Sequence, residues 1–88
     1  MGEDMAATGT KSVRFERAVT IRTDQGERSI IDVGAAANIL MTAFPRETAK
    51  REAAIATCLS VMRGKAHSPL ARRALVSAAL EVGILAGD

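Results

Sequence analysis

Residues 13–32 read VRFERAVTIRTDQGERSIID, and this stretch decides the fold. Val13, Phe15, Val19 and Ile21 recur with period two, broken only at Arg17. Alternation of β-branched and aromatic side chains puts one face of an extended strand toward a core. Thr23 to Glu27 then supply turn chemistry, with Gly26 able to adopt positive φ. Ile30 and Ile31 resume the apolar run. The stretch predicts a β-hairpin. Two strands alone are marginal in water, so the hairpin needs helices packed on one face.

Those helices follow. Asp32 is suited to cap VGAAANILMTAF (residues 33–44), in which Ala36, Ile39, Leu40, Ala43 and Phe44 share one helical face. Pro45 ends that helix. A second helix is expected from Arg46 or Glu47 to Arg63, with Ile55, Cys58, Leu59 and Met62 inward, a Glu47–Arg51 pair at i, i+4, and Gly64 as its stop. A third runs from SPLARRALVSAALEV (residues 68–82), with Ser68 as N-cap, Pro69 in the first turn and Gly83 after the end. Ala71, Ala74, Leu75, Ala78 and Val82 form its inward stripe, so Arg72 and Arg73 are expected to point at water. ILAGD (residues 84–88) is a candidate third strand. The expected architecture is α+β: an N-terminal hairpin, three packed helices and a short C-terminal strand in one domain over residues 13–88, preceded by a disordered tail, 1–12. The predicted core is Phe15, Val19, Ile21, Ile31, Ile39, Leu40, Phe44, Ile55, Cys58, Leu59, Met62, Leu75, Ala78 and Val82.

Eighty-eight residues make one small domain, and a chain this short buries only roughly 60–65% of its unfolded surface. Seventeen of its apolar residues are Ala, which favours closely approaching helices around a thin core. Pairing with a second copy would hide more apolar surface. With no Trp, no Tyr and two Phe, the chain lacks the platforms on which single-stranded bases stack. The net charge of +2 is divided unevenly. Residues 1–45 carry five Lys/Arg against six Asp/Glu, and residues 46–88 carry seven against four. No apolar run is long enough for a membrane helix, and the N-terminus lacks the pattern of a signal peptide. The expected setting is soluble and cytoplasmic, away from membranes.

No constellation for catalysis emerges. His67 is the only histidine and Cys58 the only cysteine, and Cys58 falls in an apolar stripe. A nucleophile needs an activating base, and a metal site needs three or four close ligands. Catalytic, cofactor and metal residues are therefore expected to be none. What remains is a candidate binding patch, Arg63, Lys65, Arg72 and Arg73, around the turn between the last two helices. The outline of helix, Gly-containing turn and helix gives a nucleic-acid reading, in which the last helix would offer its N-terminal residues to a groove. The leading expectation is instead a non-enzymatic protein–protein interaction or regulatory accessory module whose partner is unknown or is a second copy. An open edge of the hairpin is a further place for a strand to add, with Arg14, Glu16 and Arg22 as charges that would blunt it.

The pattern resembles a family of small bacterial proteins, domain of unknown function 982. The matching pieces are Phe15 with VTI (residues 19–21), Phe44-Pro45, Cys58 and Leu59, Gly64, and ARRALVSAALEVGIL (residues 71–85), together spanning roughly residues 14–85. Relatives often carry Trp where Phe44 stands and an aromatic where Leu75 or Val76 stands. The resemblance implies a bacterial, cytoplasmic, single-domain protein and carries no activity or catalytic residues with it.

Overall fold

A computed structural model of the chain describes residues 13–88; the tail expected over residues 1–12 lies outside them. The elements run β1 (Arg14–Thr23), β2 (Gly26–Asp32), α1 (Val33–Thr42), α2 (Ala49–Met62), α3 (Ser68–Glu81) and β3 (Leu85–Gly87). The three strands form one antiparallel sheet in the order β2-β1-β3. The hairpin, the three helices and the short C-terminal strand are those expected from the sequence.

The hairpin turns over Asp24 and Gln25, with Thr23 opposite Gly26 at φ +106°. That register sets Val19 across from Ile30 and Ile21 across from Arg28. Ile30 is consequently buried and Ile31 is exposed, the reverse of the predicted core. A strand sends successive side chains to opposite faces, so only one of two adjacent isoleucines can point inward. Between Arg14 and Val19 the register shifts, because five steps along β1 match two along β2. This bulge lets Phe15, Val19 and Ile21 all stay buried while Arg17 turns out to solvent.

Asp32 caps α1, its Oδ1 accepting from the Ala35 N–H at 2.7 Å. α2 begins later than expected. Thr48 caps it, accepting from the Arg51 N–H at 3.1 Å, so Arg46 and Glu47 lie in the preceding loop. Arg51 accordingly pairs with Glu52 instead of Glu47, and its Nε donates to the Leu40 carbonyl at 2.9 Å, tying α2 to the end of α1. Val61 is buried where Met62 was expected, and Met62 is exposed. α3 starts at Ser68, making His67 the N-cap residue without a side-chain cap bond.

Six of the sixteen buried core residues are Ala, four of them on α2 and α3. The buried stripe of α2 runs Ala54, Cys58 and Val61, and Met62, 100° further round the helix, falls outside it. Phe44 and Ile55 pack against the core while only partly buried. Leu59 and Val82 are half-buried. β3 pairs with β1, and the Arg22 N–H donates to the Ile84 carbonyl at 2.8 Å. β1 is therefore the central strand. Arg22 is flanked on both sides, whereas β3 meets β1 only around Thr20 to Arg22 and does not reach Arg14 or Glu16; β2 is the longer edge strand, and Glu27 and Arg28 are its exposed charges.

Candidate interaction surface

The four basic residues singled out by the sequence do not share one environment. Arg63 closes α2, its N–H bonding back to Leu59, and Lys65 lies in the following turn, its N–H on the Ser60 carbonyl; both side chains are exposed. Arg72 is half-buried and folds back onto β1, contrary to the expectation that it points at water. Its Nε donates to the Arg17 carbonyl at 2.9 Å and its guanidinium to the Ala18 carbonyl at 3.3 Å and the Asp88 carbonyl. The bulge in β1 presents those carbonyls because its ladder is interrupted there. Arg72 thus satisfies backbone acceptors and fastens the C-terminal end to β1. Arg73 is exposed, as expected.

Beside these arginines lies an open groove of about 330 Å³, walled by Glu16 and Arg17 of the bulge, by Pro69, Arg72, Arg73 and Val76 of α3, and by Asp88. Arg63 and Lys65 do not line it. Two carboxylates accompany its three arginines, so the groove is of mixed charge.

The same helix shows a feature that the sequence reading missed. Pro69, Arg73, Val76 and Leu80 follow one another at spacings of four, three and four. At 100° per residue they occupy about 60° of arc. This ridge points away from the buried stripe of Ala71, Leu75, Ala78 and Ala79. Leu80 is 62% exposed, and Leu70 next to the ridge is 48% exposed. Val76 is half-buried at the groove wall. On the flank toward α2, Lys50 Nζ donates to Ser77 Oγ at 3.4 Å and Arg46 to the Glu81 carbonyl at 3.4 Å. Leu80 and Leu70 therefore stand exposed on α3 outside its buried stripe, while Val76 packs partly against the core. A second four-three-four stripe was readable in the sequence, but periodicity alone does not say which of two stripes faces the core.

His67 is an exposed loop residue. Cys58 is fully buried, and burial pushes its thiol from 9.0 up to about 11, so the thiolate needed for nucleophilic chemistry is suppressed. Among the described residues no group of three or more His, Cys, Asp or Glu is placed to hold a metal ion, and no helix is long and apolar enough to cross a membrane.

A family model described as "Protein of unknown function (DUF982)" matches residues 17–86. The solved NMR structure of the Agrobacterium tumefaciens protein Atu1219 is similar, with a TM-score of 0.72 and 28% sequence identity, over 86% of this chain and 78% of that one. No curated protein matches.

Proposed function

The chain belongs to DUF982, a family of proteins of unknown function, and from the outward ridge of α3 we propose that it is a non-enzymatic protein-interaction module that docks through Pro69, Arg73, Val76 and Leu80. The observation that carries this reading is the exposure of Leu80 and Leu70 on a helix whose other side already forms the core. A helix with apolar residues around its circumference normally has neighbours on every side. Here the outward neighbour is absent from the isolated chain. An apolar ridge at heptad spacing is suited to another helix.

The ridge also favours a protein over a nucleic acid. Arg72 is committed to carbonyls, so the N-terminal half of α3 offers Pro69, Leu70 and a single free arginine to any duplex. The test is affinity capture with two baits, the wild-type chain and Leu80→Lys. Leu80 is largely exposed, and a cation near a helix C-terminus suits the helix dipole, so the variant keeps its fold. Partners held by the ridge are recovered by the wild type and lost with Leu80→Lys. Equal recovery by both baits, or salt-sensitive binding of duplex DNA that Leu80→Lys leaves intact, overturns the reading.

A further inference from the structure

We infer that β3 is a hinged strap, one that opens on its own while β1, β2 and the three helices stay folded, and that Arg72 is its latch. Opening takes the neighbour away from Thr20 to Arg22. Among the described residues, that edge of β1 is then without an adjoining strand from Arg14 to Thr23. The inference is independent of the docking ridge on α3.

The ladder shows how little holds the strap. β2 pairs with β1 continuously from Val19 opposite Ile30 to the hairpin turn. β3 pairs with β1 only at Thr20 opposite Gly87 and Ile21 opposite Leu85, with a register shift between the two. All three residues of β3 are half-buried, and the buried side chains of the sheet, Phe15, Val19, Ile21 and Ile30, belong to β1 and β2. Leu85 packs against the core from its margin. A segment with so little buried apolar area and so short a ladder opens at a lower free-energy cost than the whole domain.

The connection lets it go. α3 is closed before β3 begins: the Gly83 N–H bonds the Leu80 carbonyl at 3.1 Å, and the Ile84 N–H bonds the Ala79 carbonyl at 3.0 Å. Those bonds cap the helix end, so departure of β3 does not uncap α3. Gly83 stands at φ +77°, with nothing within 4 Å of the place a Cβ would occupy, so the chain turns there in open space. At the far end the tie is one side chain. Arg72 donates to the Arg17 and Ala18 carbonyls of β1 and, with the same guanidinium, to the Asp88 carbonyl. Its hold on β1 does not depend on Asp88, so the latch stays in place for reclosure.

Amide exchange separates strap opening from unfolding, because neighbouring amides of β1 face opposite ways. The Arg22 N–H bonds the Ile84 carbonyl at 2.8 Å and is freed when the strap leaves. Ile21 stands opposite Arg28 and turns its N–H toward β2, so it is freed only when the hairpin comes apart. In the wild-type chain the Arg22 amide should be at least about tenfold less protected than the Ile21 amide. Between 0 and about 1 M urea the Ile21 exchange rate should rise about tenfold, and the Arg22 rate less than about twofold. A disulfide supplies a lock. A Cβ at Gly87 would lie 3.8 Å from the Thr20 Cβ, a separation found across disulfides, and Cys58 is fully buried. Oxidised Thr20→Cys/Gly87→Cys should bring the protection of Arg22 up to that of Ile21, and reduction should return it to the wild-type value. Equal protection and equal urea dependence of the two amides in the wild type overturn the inference. So does a lock that forms, as mass shows, and leaves the Arg22 amide exchanging as before.

Discussion

Arg72 and Arg73 are adjacent, identical in chemistry and opposite in predicted consequence. Arg72→Ala removes donors from the Arg17 and Ala18 carbonyls, 2.9 and 3.3 Å away, and from the Asp88 carbonyl. A hydrogen bond from a charged donor contributes about 1.5–3 kcal/mol when both groups are desolvated. Arg72 is half-buried, so water replaces part of what is lost, and the variant should be destabilised by about 2 kcal/mol in total. That is a large share of the roughly 5–10 kcal/mol a domain of this size possesses. Arg73→Ala touches neither a hydrogen bond nor the core and should stay within about 0.5 kcal/mol of wild type. Lysine at position 72 has no fork and reaches one carbonyl at a time, so Arg72→Lys should fall between them. Urea unfolding at low micromolar concentration measures all three. With a slope of about 1–1.5 kcal/mol per molar, the Arg72→Ala midpoint should drop by about 1.3–2 M. Hydrogen exchange adds a local readout at the Arg22 amide, bonded to the Ile84 carbonyl at the strand that Arg72 fastens. If the two alanine variants unfold at the same urea concentration, the carbonyl clamp does not exist in solution.

Three further outcomes follow from the core and its caps. Leu75 is fully buried, and Leu75→Ala should cost about 2–5 kcal/mol, enough to leave much of the chain unfolded at 37 °C, as thermal melting would show. Asp32→Ala removes the acceptor of the Ala35 N–H and should lower stability by about 0.5–2 kcal/mol in urea titration, with Asp32→Asn recovering most of it. Cys58, its thiol raised from 9.0 to about 11, should resist thiol reagents at pH 8 until denaturant is added. Because the unfolded chain releases that proton first, stability should be constant with respect to this group below pH 9 and decline between pH 9 and about 11, a decline that Cys58→Ala abolishes.

Much of the fold was legible because local rules and tertiary structure agree. Period two found β1, and Arg17 broke it within the stretch where the register of the ladder shifts. Asp32, Gly83 and Pro45 marked helix limits by their own backbone preferences. The choice between Ile30 and Ile31 was not made by composition; it follows from the two-residue hairpin loop, which fixes parity along both strands. Val61 rather than Met62 faces the core because the buried stripe of α2 runs Ala54, Cys58, Val61, and periodicity alone does not fix which of two neighbouring stripes turns inward. The start of α2 was misplaced because Pro45 and Glu47 suggested a helix sooner than the Thr48 cap allows. The hydrogen bonding of Arg72 was not legible for the same kind of reason. The partners of Arg72 are carbonyls more than fifty residues away, exposed by an irregularity in another strand, and nothing near position 72 announces them.

The distribution of residue sizes on α3 bears on why an outward surface exists at all. Ala71, Ala78 and Ala79 face the core, while Leu70 and Leu80 face solvent. Burying apolar area stabilises a fold by about 25 cal/mol per Å², so a helix optimised for the isolated monomer would place its leucines inward. The alanines cannot be exchanged for them, because overpacking between helices already in contact costs about 1–3 kcal/mol at each position. Close helix packing thus explains the small residues inside. It gives no reason for large apolar residues outside, where Lys, Glu or Gln would propagate the helix equally well and dissolve more readily. Leu70 and Leu80 contribute little to the folding of the isolated chain, and their exposure is the observation on which the proposed docking surface rests.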